Sequence, residues 1–307
     1  MTEAGSPSPD PIPIGTIASP PFARLPDPST HFRLRAQRFA VLAQKHDLAP
    51  YLHFMAGLAE AQHQTLDGIP GPQMPAPAER ERARTHAMPQ LNLSLLAADG
   101  SLDATFDKLF GLATEIEMPA TARLALDAVT RADRDARLQL ALDALDQSPE
   151  AGRLAEHAFA AAAAQVHCAR MAARLDAERL VPVGDGACPA CGGAPVASLI
   201  VGWRGAHGTR FCACSLCSTL WHVVRVKCVV CGSTEGVAYK EIEDGPGAGQ
   251  VRAETCSRCG SFVKIMLQHE NPALDPVADD VATLGLDLLL RESGFRRGAV
   301  NPFLLGY

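Results

Sequence analysis

The chain has 307 residues, enough for two domains of ordinary size, and 47% of them are hydrophobic, so a sizeable core can be buried. A formal charge of −6 argues against a broad nucleic-acid-binding surface, and no run of 18 apolar residues offers a membrane-spanning helix. Aromatics are only 5%, and alanine and leucine carry much of the apolar content, which favours helix over sheet for most of the length.

Residues 1–21 carry six prolines among Ser, Gly and Asp. They show neither the basic stretch nor the apolar core of an export signal and read as a disordered tail. Without such a signal the protein is expected in the cytoplasm, where paired cysteines point to metal binding or redox chemistry more than to disulfides.

Residues 22–182 read as an α-helical domain. Asp27-Pro28-Ser29 can start a helix on which Phe32, Phe39 and Leu42 recur at helical spacing. Pro50 opens a second helix through Leu66, with Leu52, Met55, Leu58 and Ala59 on one face. A loop with Pro70, Pro72, Pro75 and Pro77 follows. Further helices are expected over 79–87, 102–116, 119–131 and 133–146. Ser148-Pro149-Glu150 then caps a long one, running to about Leu180 through the alanine block at 158–164.

The string VPVGDG, Val181 to Gly186, interrupts the helical pattern, and glycine and β-branched residues rise beyond it. Strand-like composition appears at 196–203, 221–226, 237–243, 251–255 and 261–267, with a strong turn signal over 244–250. Two small modules are expected, over 187–225 and 226–272. Residues 273–307 supply a last helix, from Val277 to Glu292, with Val281, Leu284, Leu286, Leu288 and Leu289 as its apolar positions, packing back on the helical domain. The fold class is therefore α+β.

Nine of the ten cysteines lie between 188 and 259, and eight form Cys-x-x-Cys pairs: Cys188/Cys191, Cys214/Cys217, Cys228/Cys231 and Cys256/Cys259. Each pair places two sulfurs on one tight turn, which suits two corners of a tetrahedron. Gly192, Gly232 and Gly260 follow three of the pairs and permit the positive φ such a turn needs; Ser218 follows the other. There are 22 residues between the first and second pairs and 24 between the third and fourth, room for a hairpin in each case. That is the layout of a zinc ribbon or a rubredoxin. It predicts two metal ions, one held by Cys188, Cys191, Cys214 and Cys217, the other by Cys228, Cys231, Cys256 and Cys259. An interleaved grouping is the alternative. Four thiolates suit iron and zinc alike.

Arg204, Arg210, Arg225 and Lys227 lie in or beside these units and either offset the thiolate charge or form a solvated face. Cys212 is expected to point away from the metal, Cys168 to pack within a helix, and His207 and His222 to be surplus to sites already filled by cysteine. Trp203 and Trp221 either meet a partner or pack beside the metal turns.

The strings CPACGGAPVAS, CSLCSTLWHVVRVKCVVCG, RAETCSRCGSFVKI, ADDVATLGLDLLL and the closing NPF resemble the formate dehydrogenase accessory protein (FdhE) family, as does the helical start RAQRFAVLAQKHDLAPYLHFMAGLAEAQ. The resemblance spans residues 22–303. It implies a helical domain followed by two rubredoxin-like modules. It also implies a non-enzymatic cytoplasmic assembly factor that binds the catalytic subunit of a formate dehydrogenase exported by the twin-arginine route. By the same resemblance the eight paired cysteines are the ligands. A closed Cys₄ site has no open position for hydrolytic chemistry. No Gly-rich phosphate loop, Gly-x-Ser-x-Gly elbow or His-Glu-x-x-His motif occurs in the chain. A redox protein acting on the same client is a second expectation. A zinc-ribbon nucleic-acid binder is a third, weakened by a module charge of only 8 − 6 = +2 over residues 188–272.

Overall fold

The computed structural model describes residues 20–91, 96, 99–146 and 148–306. The proline-rich stretch up to residue 19 lies outside them. Helix α1 (Pro28–Leu42) starts where expected: Asp27 accepts from the Ser29 amide at 3.0 Å, and Pro28 fills the first turn, where no amide is needed. Helix α2 (Ala49–Thr65) opens around Pro50 and buries Leu52, Met55, Leu58 and Ala59. Then come α3 (Pro77–Thr85), α4 (Ser101–Ala113), α5 (Ala120–Arg131), α6 (Arg134–Leu145) and α7 (Leu154–Ala172). Phe32, Phe39, Phe106, Phe110 and Phe159 fill the core, and the alanines at 160–164 are fully buried on α7. Their small side chains let α2, α4, α5 and α6 all pack against this one helix.

Helix α7 is shorter than the sequence suggests. The Glu150 amide donates to His157 Nε2 at 3.1 Å, which folds the preceding segment against α7 as a single 3₁₀ turn (Ala151–Arg153) instead of extending it. At the other end Asp176 takes the Glu178 amide at 3.0 Å and starts a separate turn over Ala177–Arg179.

The strands are β1 (Ala23–Arg24), β2 (Pro195–Ile200), β3 (Arg210–Cys214), β4 (Leu220–Val223), β5 (Val237–Lys240), β6 (Val251–Cys256), β7 (Ser261–Met266) and β8 (Arg296–Arg297). They form one sheet in the order β1-β4-β3-β2-β7-β6-β5, with β8 beside β7. Strands β2–β4 and β5–β7 are antiparallel meanders. They join through a parallel pairing of β2 with β7, Ser198 opposite Ile265 and Leu199 opposite Met266. β1, β3 and β8 lie outside the strand-like stretches of the sequence.

The joint is sealed by charge. Arg210 is fully buried, pairs with Glu254 at 2.6 Å and donates to Ser198 Oγ at 3.0 Å. It therefore belongs neither to a solvated face nor to a cationic shell around the sulfurs. Arg204 and Arg225 are exposed, and Lys227 meets Asp185 at the surface at 2.6 Å.

The C-terminal helix is broken in two, α8 (Ala278–Ala282) and α9 (Leu284–Glu292). The buried Lys264 ammonium takes the carbonyls of Asp280 and Thr283, at 2.8 and 3.0 Å, and so occupies acceptors at the junction. α8 packs on the helical part, with Asp279 on Arg38 at 2.6 Å, and Leu284 at the start of α9 joins the same core. Leu286 and Leu290 of α9 pack on Ala253 and Phe262 of the sheet, and Leu288 and Leu289 are exposed, not core. Lys264 and Arg297 face Asp280 and Asp287 in a buried four-charge network beneath. The α+β architecture, helices first and zinc-ribbon-like modules after, is as the sequence predicts.

Candidate metal centres

Four tight turns carry the paired cysteines. Cys188 and Cys191 precede β2, Cys214 and Cys217 join β3 to β4, Cys228 and Cys231 precede β5, and Cys256 and Cys259 join β6 to β7. Gly192, Gly232 and Gly260 have φ of +79°, +74° and +67°. Their amides return to the carbonyls of Cys188, Cys228 and Cys256 at 2.8, 2.9 and 2.9 Å. Ser218 adopts φ +60°, so the fourth turn departs from the pattern in residue type and not in backbone. Two of the other amides in that turn, those of Leu216 and Cys217, point at Cys214 Sγ at 3.4 Å.

The turns bring the eight sulfurs into two groups of four, each within 4.8 Å: Cys188, Cys191, Cys214 and Cys217, and Cys228, Cys231, Cys256 and Cys259. In the first, Cys188 lies 3.6 Å from Cys217 and Cys191 lies 3.5 Å from Cys214. In the second, Cys228 to Cys259 and Cys231 to Cys256 are both 3.8 Å. Tetrahedral thiolate ligands about 2.3 Å from one ion stand about 3.8 Å apart, whereas a disulfide is about 2.05 Å. The groups fit an ion and not a bond between sulfurs, and the grouping is sequential, not interleaved.

Electrostatics agree. Burial pushes the Cys188 thiol well up, and the neighbouring thiols, Cys188 first, push Cys191 up. Cys217 ends well below its usual range: burial opposes this, but hydrogen bonds from Cys188, Cys191 and Cys214 hold it down. In the second group burial pushes Cys228 up to about 12. Cys259 falls to about 7, because hydrogen bonds from Ser261 and the neighbouring thiols outweigh its burial. Four thiolates cannot gather here without a cation among them, so loading an ion must release protons. With all four positions filled by sulfur, either group can supply a structural clasp or, with iron, a one-electron carrier.

The groups differ in setting. All four cysteines of the first are buried, whereas in the second Cys231 is exposed and Cys259 half-buried. The helical part walls the first. Gln165 on α7 donates to Ser215 O at 2.7 Å, and the Leu91 amide donates to Ala190 O at 2.8 Å. Gly193 lies close against the site: a Cβ there would stand 3.3 Å from Cys214 Sγ and 3.4 Å from Cys191 Sγ, a tight fit.

Cys212 is outside both groups and lies 3.5 Å from Ser198 Oγ, while Cys168 is buried in α7. His207 is exposed, its ring against His269, and His222 packs its ring on Phe211. Trp221 is buried in the core; Trp203 is half-buried with the Arg24 guanidinium 4.5 Å above its ring. The sequence reading passed over Gly193 and the backbone of Ser218. A serine standing where three sister turns have glycine was the available signal. A buried His167–Asp99 pair (3.0 Å) with Thr105 nearby has the residue types of a catalytic triad. It is sealed in the helical core, and Asp99 is committed to the Gln73 and Ser101 amides.

Comparison with known proteins accounts for nearly the whole chain. Family models described as FdhE, N-terminal, FdhE, central domain, and FdhE, C-terminal domain, match residues 20–185, 187–225 and 226–304 in turn. A protein named "Protein FdhE homolog" from Rhizobium meliloti is 44% identical over 300 residues, covering 97% of this chain and 98% of its own. Another of that name from Stutzerimonas stutzeri is 35% identical, covering 94% and 93%. The crystal structure of the FdhE protein from Pseudomonas aeruginosa superposes with a TM-score of 0.82 at 30% identity, over 94% of this chain and 99% of that one.

Proposed function

The chain belongs to the FdhE family, and we propose that it is a maturation factor for a formate dehydrogenase, binding the catalytic subunit in the cytoplasm before twin-arginine export. The observation that carries this is the family match along nearly the full length, with all eight paired cysteines gathered into two groups. In this reading Cys188, Cys191, Cys214 and Cys217 hold one ion, iron or zinc, and Cys228, Cys231, Cys256 and Cys259 hold the other. Residues 22–182 form a helical platform, 187–225 and 226–272 each form one metal module, and 273–307 strap the modules to the helices. The protein acts by binding, not by turnover.

The test is a pull-down of tagged protein from cells making the dehydrogenase, with metal analysis of the same sample. The catalytic subunit is expected in the eluate, with two ions per chain. A deletion strain is expected to keep the dehydrogenase polypeptide and lose formate oxidation; normal oxidation there would end the proposal. A visible absorption band in fresh protein identifies ferric iron, and a colourless two-ion protein identifies zinc.

A further inference from the structure

The two sulfur groups share a turn geometry and differ in access. In the first group Cys188, Cys191, Cys214 and Cys217 are 0, 5, 2 and 0% exposed. They lie between the sheet and the helical domain, under the hydrogen bonds from Gln165 and Leu91. At these exposures an incoming thiol or chelator meets almost no sulfur surface, although Cys214 borders the cleft between α1 and the sheet. In the second group Cys228 and Cys256 are buried at 3% and 1%, but Cys231 is exposed and Cys259 half-buried. Ser257 and Arg258, inside the last turn, are exposed as well, so the turn itself lies open to solvent.

We propose that the second centre is an exchange site. Cys231 and Cys259 are the sulfurs at which an incoming soft ligand, a thiol of a partner or of a small molecule, takes over the bound ion, while the first centre is a permanent clasp. This rests on the eight cysteines being ligands. The chemistry is ligand substitution with no change of oxidation state. The incoming thiol gives up its proton and takes the coordination position of Cys231, and the released Cys231 sulfur picks the proton up. Cys259 follows in the same way, and buried Cys228 and Cys256 leave last. Exposed, low-coverage thiolates are the ones at which such exchange begins.

Two features make the step local. The sheet around the second centre is fixed by contacts that involve no cysteine: the buried Arg210–Glu254 pair at 2.6 Å and the Lys264 network under α9. Strand β5, which starts opposite Cys256, is an edge strand with Ala238, Tyr239 and Lys240 exposed, so a partner can approach along it.

The experiment uses full-length protein loaded with two equivalents of zinc and mixed with excess 4-(2-pyridylazo)resorcinol. Release is expected in two phases of one equivalent each, the fast one roughly tenfold or more ahead of the slow. Brief N-ethylmaleimide labelling read by mass spectrometry is expected to mark Cys231 and Cys259 first and to spare the first group until the slow phase. Cys231→Ser is expected to abolish the fast phase and leave one retained ion. Release of both ions at one rate, or first labelling at Cys188, Cys191, Cys214 or Cys217, would overturn the proposal. If Cys231→Ser fails to fold, the labelling order in the unaltered protein still decides. A chain that never binds two ions refutes the ligand assignment itself, which separates that failure from a wrong ranking of the centres.

Discussion

Replacing Ser218 by glycine should stabilise the protein, even though it deletes a side chain from a metal-binding turn. Ser218 holds φ +60°, the left-handed region that its three sister positions occupy with glycine. Holding an L-residue there costs about 1–2 kcal/mol. Its hydroxyl makes no hydrogen bond among the described residues, so nothing in the side chain offsets that cost. Against the relief stands the greater freedom of glycine in the unfolded chain, about 0.4–1 kcal/mol. The difference favours Ser218→Gly by about 0.5–1 kcal/mol, or roughly 2 °C in melting temperature for a chain of this size. The mirror experiment is Gly260→Ser. A Cβ at Gly260 meets nothing within 4 Å, so its φ of +67° is the whole penalty, and a loss of similar size is expected. Gly232 is a poor control, because a Cβ there runs into the Asp185 carboxylate. The assay is thermal melting of metal-loaded protein, with metal content measured in parallel to show that both variants keep two ions. A lower midpoint for Ser218→Gly, or no change for Gly260→Ser, would show that the backbone does not govern these turns.

Arg210→Leu should lower unfolding free energy by about 3–5 kcal/mol, because it leaves Glu254 buried without its partner at 2.6 Å; Arg210→Leu with Glu254→Leu should recover most of that in denaturant titrations. Lys264→Met should cost a comparable amount by stranding Asp280 and Asp287 against Arg297 alone, with protease sensitivity appearing first at α9. His31 is brought down to about 3, by burial first and then by the Arg35 guanidinium, which donates to its ring at 2.7 Å. The unfolded chain therefore binds this proton before the folded one does. The contribution of a neutral His31 is complete above about pH 6.5 and is lost as pH falls towards 3, by up to about 1.4 kcal/mol per pH unit. His167 is also lowered by burial and adds to the same acid limb. Melting temperatures from pH 7 to 5 should fall, and His31→Gln should flatten the fall; an unchanged slope would remove His31 from the account.

How much of this was readable beforehand depends on the range of the forces involved. The α1 start was legible because Asp27, Pro28 and Ser29 act on their own neighbours. The eight cysteines were legible because a tetrahedral site needs sulfur at fixed local spacing, and the 22- and 24-residue intervals left room for one hairpin each. What was illegible was decided at a distance. The parallel pairing of Ser198 with Ile265 joins residues 265 − 198 = 67 positions apart and leaves no periodic trace. Arg210 reads as a surface cation until Glu254, 44 residues away, is known to lie beside it. The break at Thr283 comes from Lys264 on another element, while the local pattern of Val281, Leu284 and Leu286 continues through it.

Those distant contacts bear on what each centre is for. If the two modules were independent, each would need its own ion to fold, as isolated Cys₄ units do. Here the second module is tied down without its cysteines: β7 pairs with β2, Arg210 binds Glu254 across the joint, and Lys264 and Arg297 bind the carboxylates of Asp280 and Asp287. The first module shares the Arg210–Glu254 pair, because Arg210 lies on β3. What sets it apart is that its contact with the helical domain, beside the β1–β4 pairing, includes the turns that carry Cys188, Cys191, Cys214 and Cys217, by way of Ala190 and Ser215. Loss of the first ion should therefore loosen the whole molecule, and loss of the second should leave the sheet standing with one edge open. The burial of the first group and the exposure of Cys231 follow the same division, which gives the molecule one metal to keep and one it can afford to release.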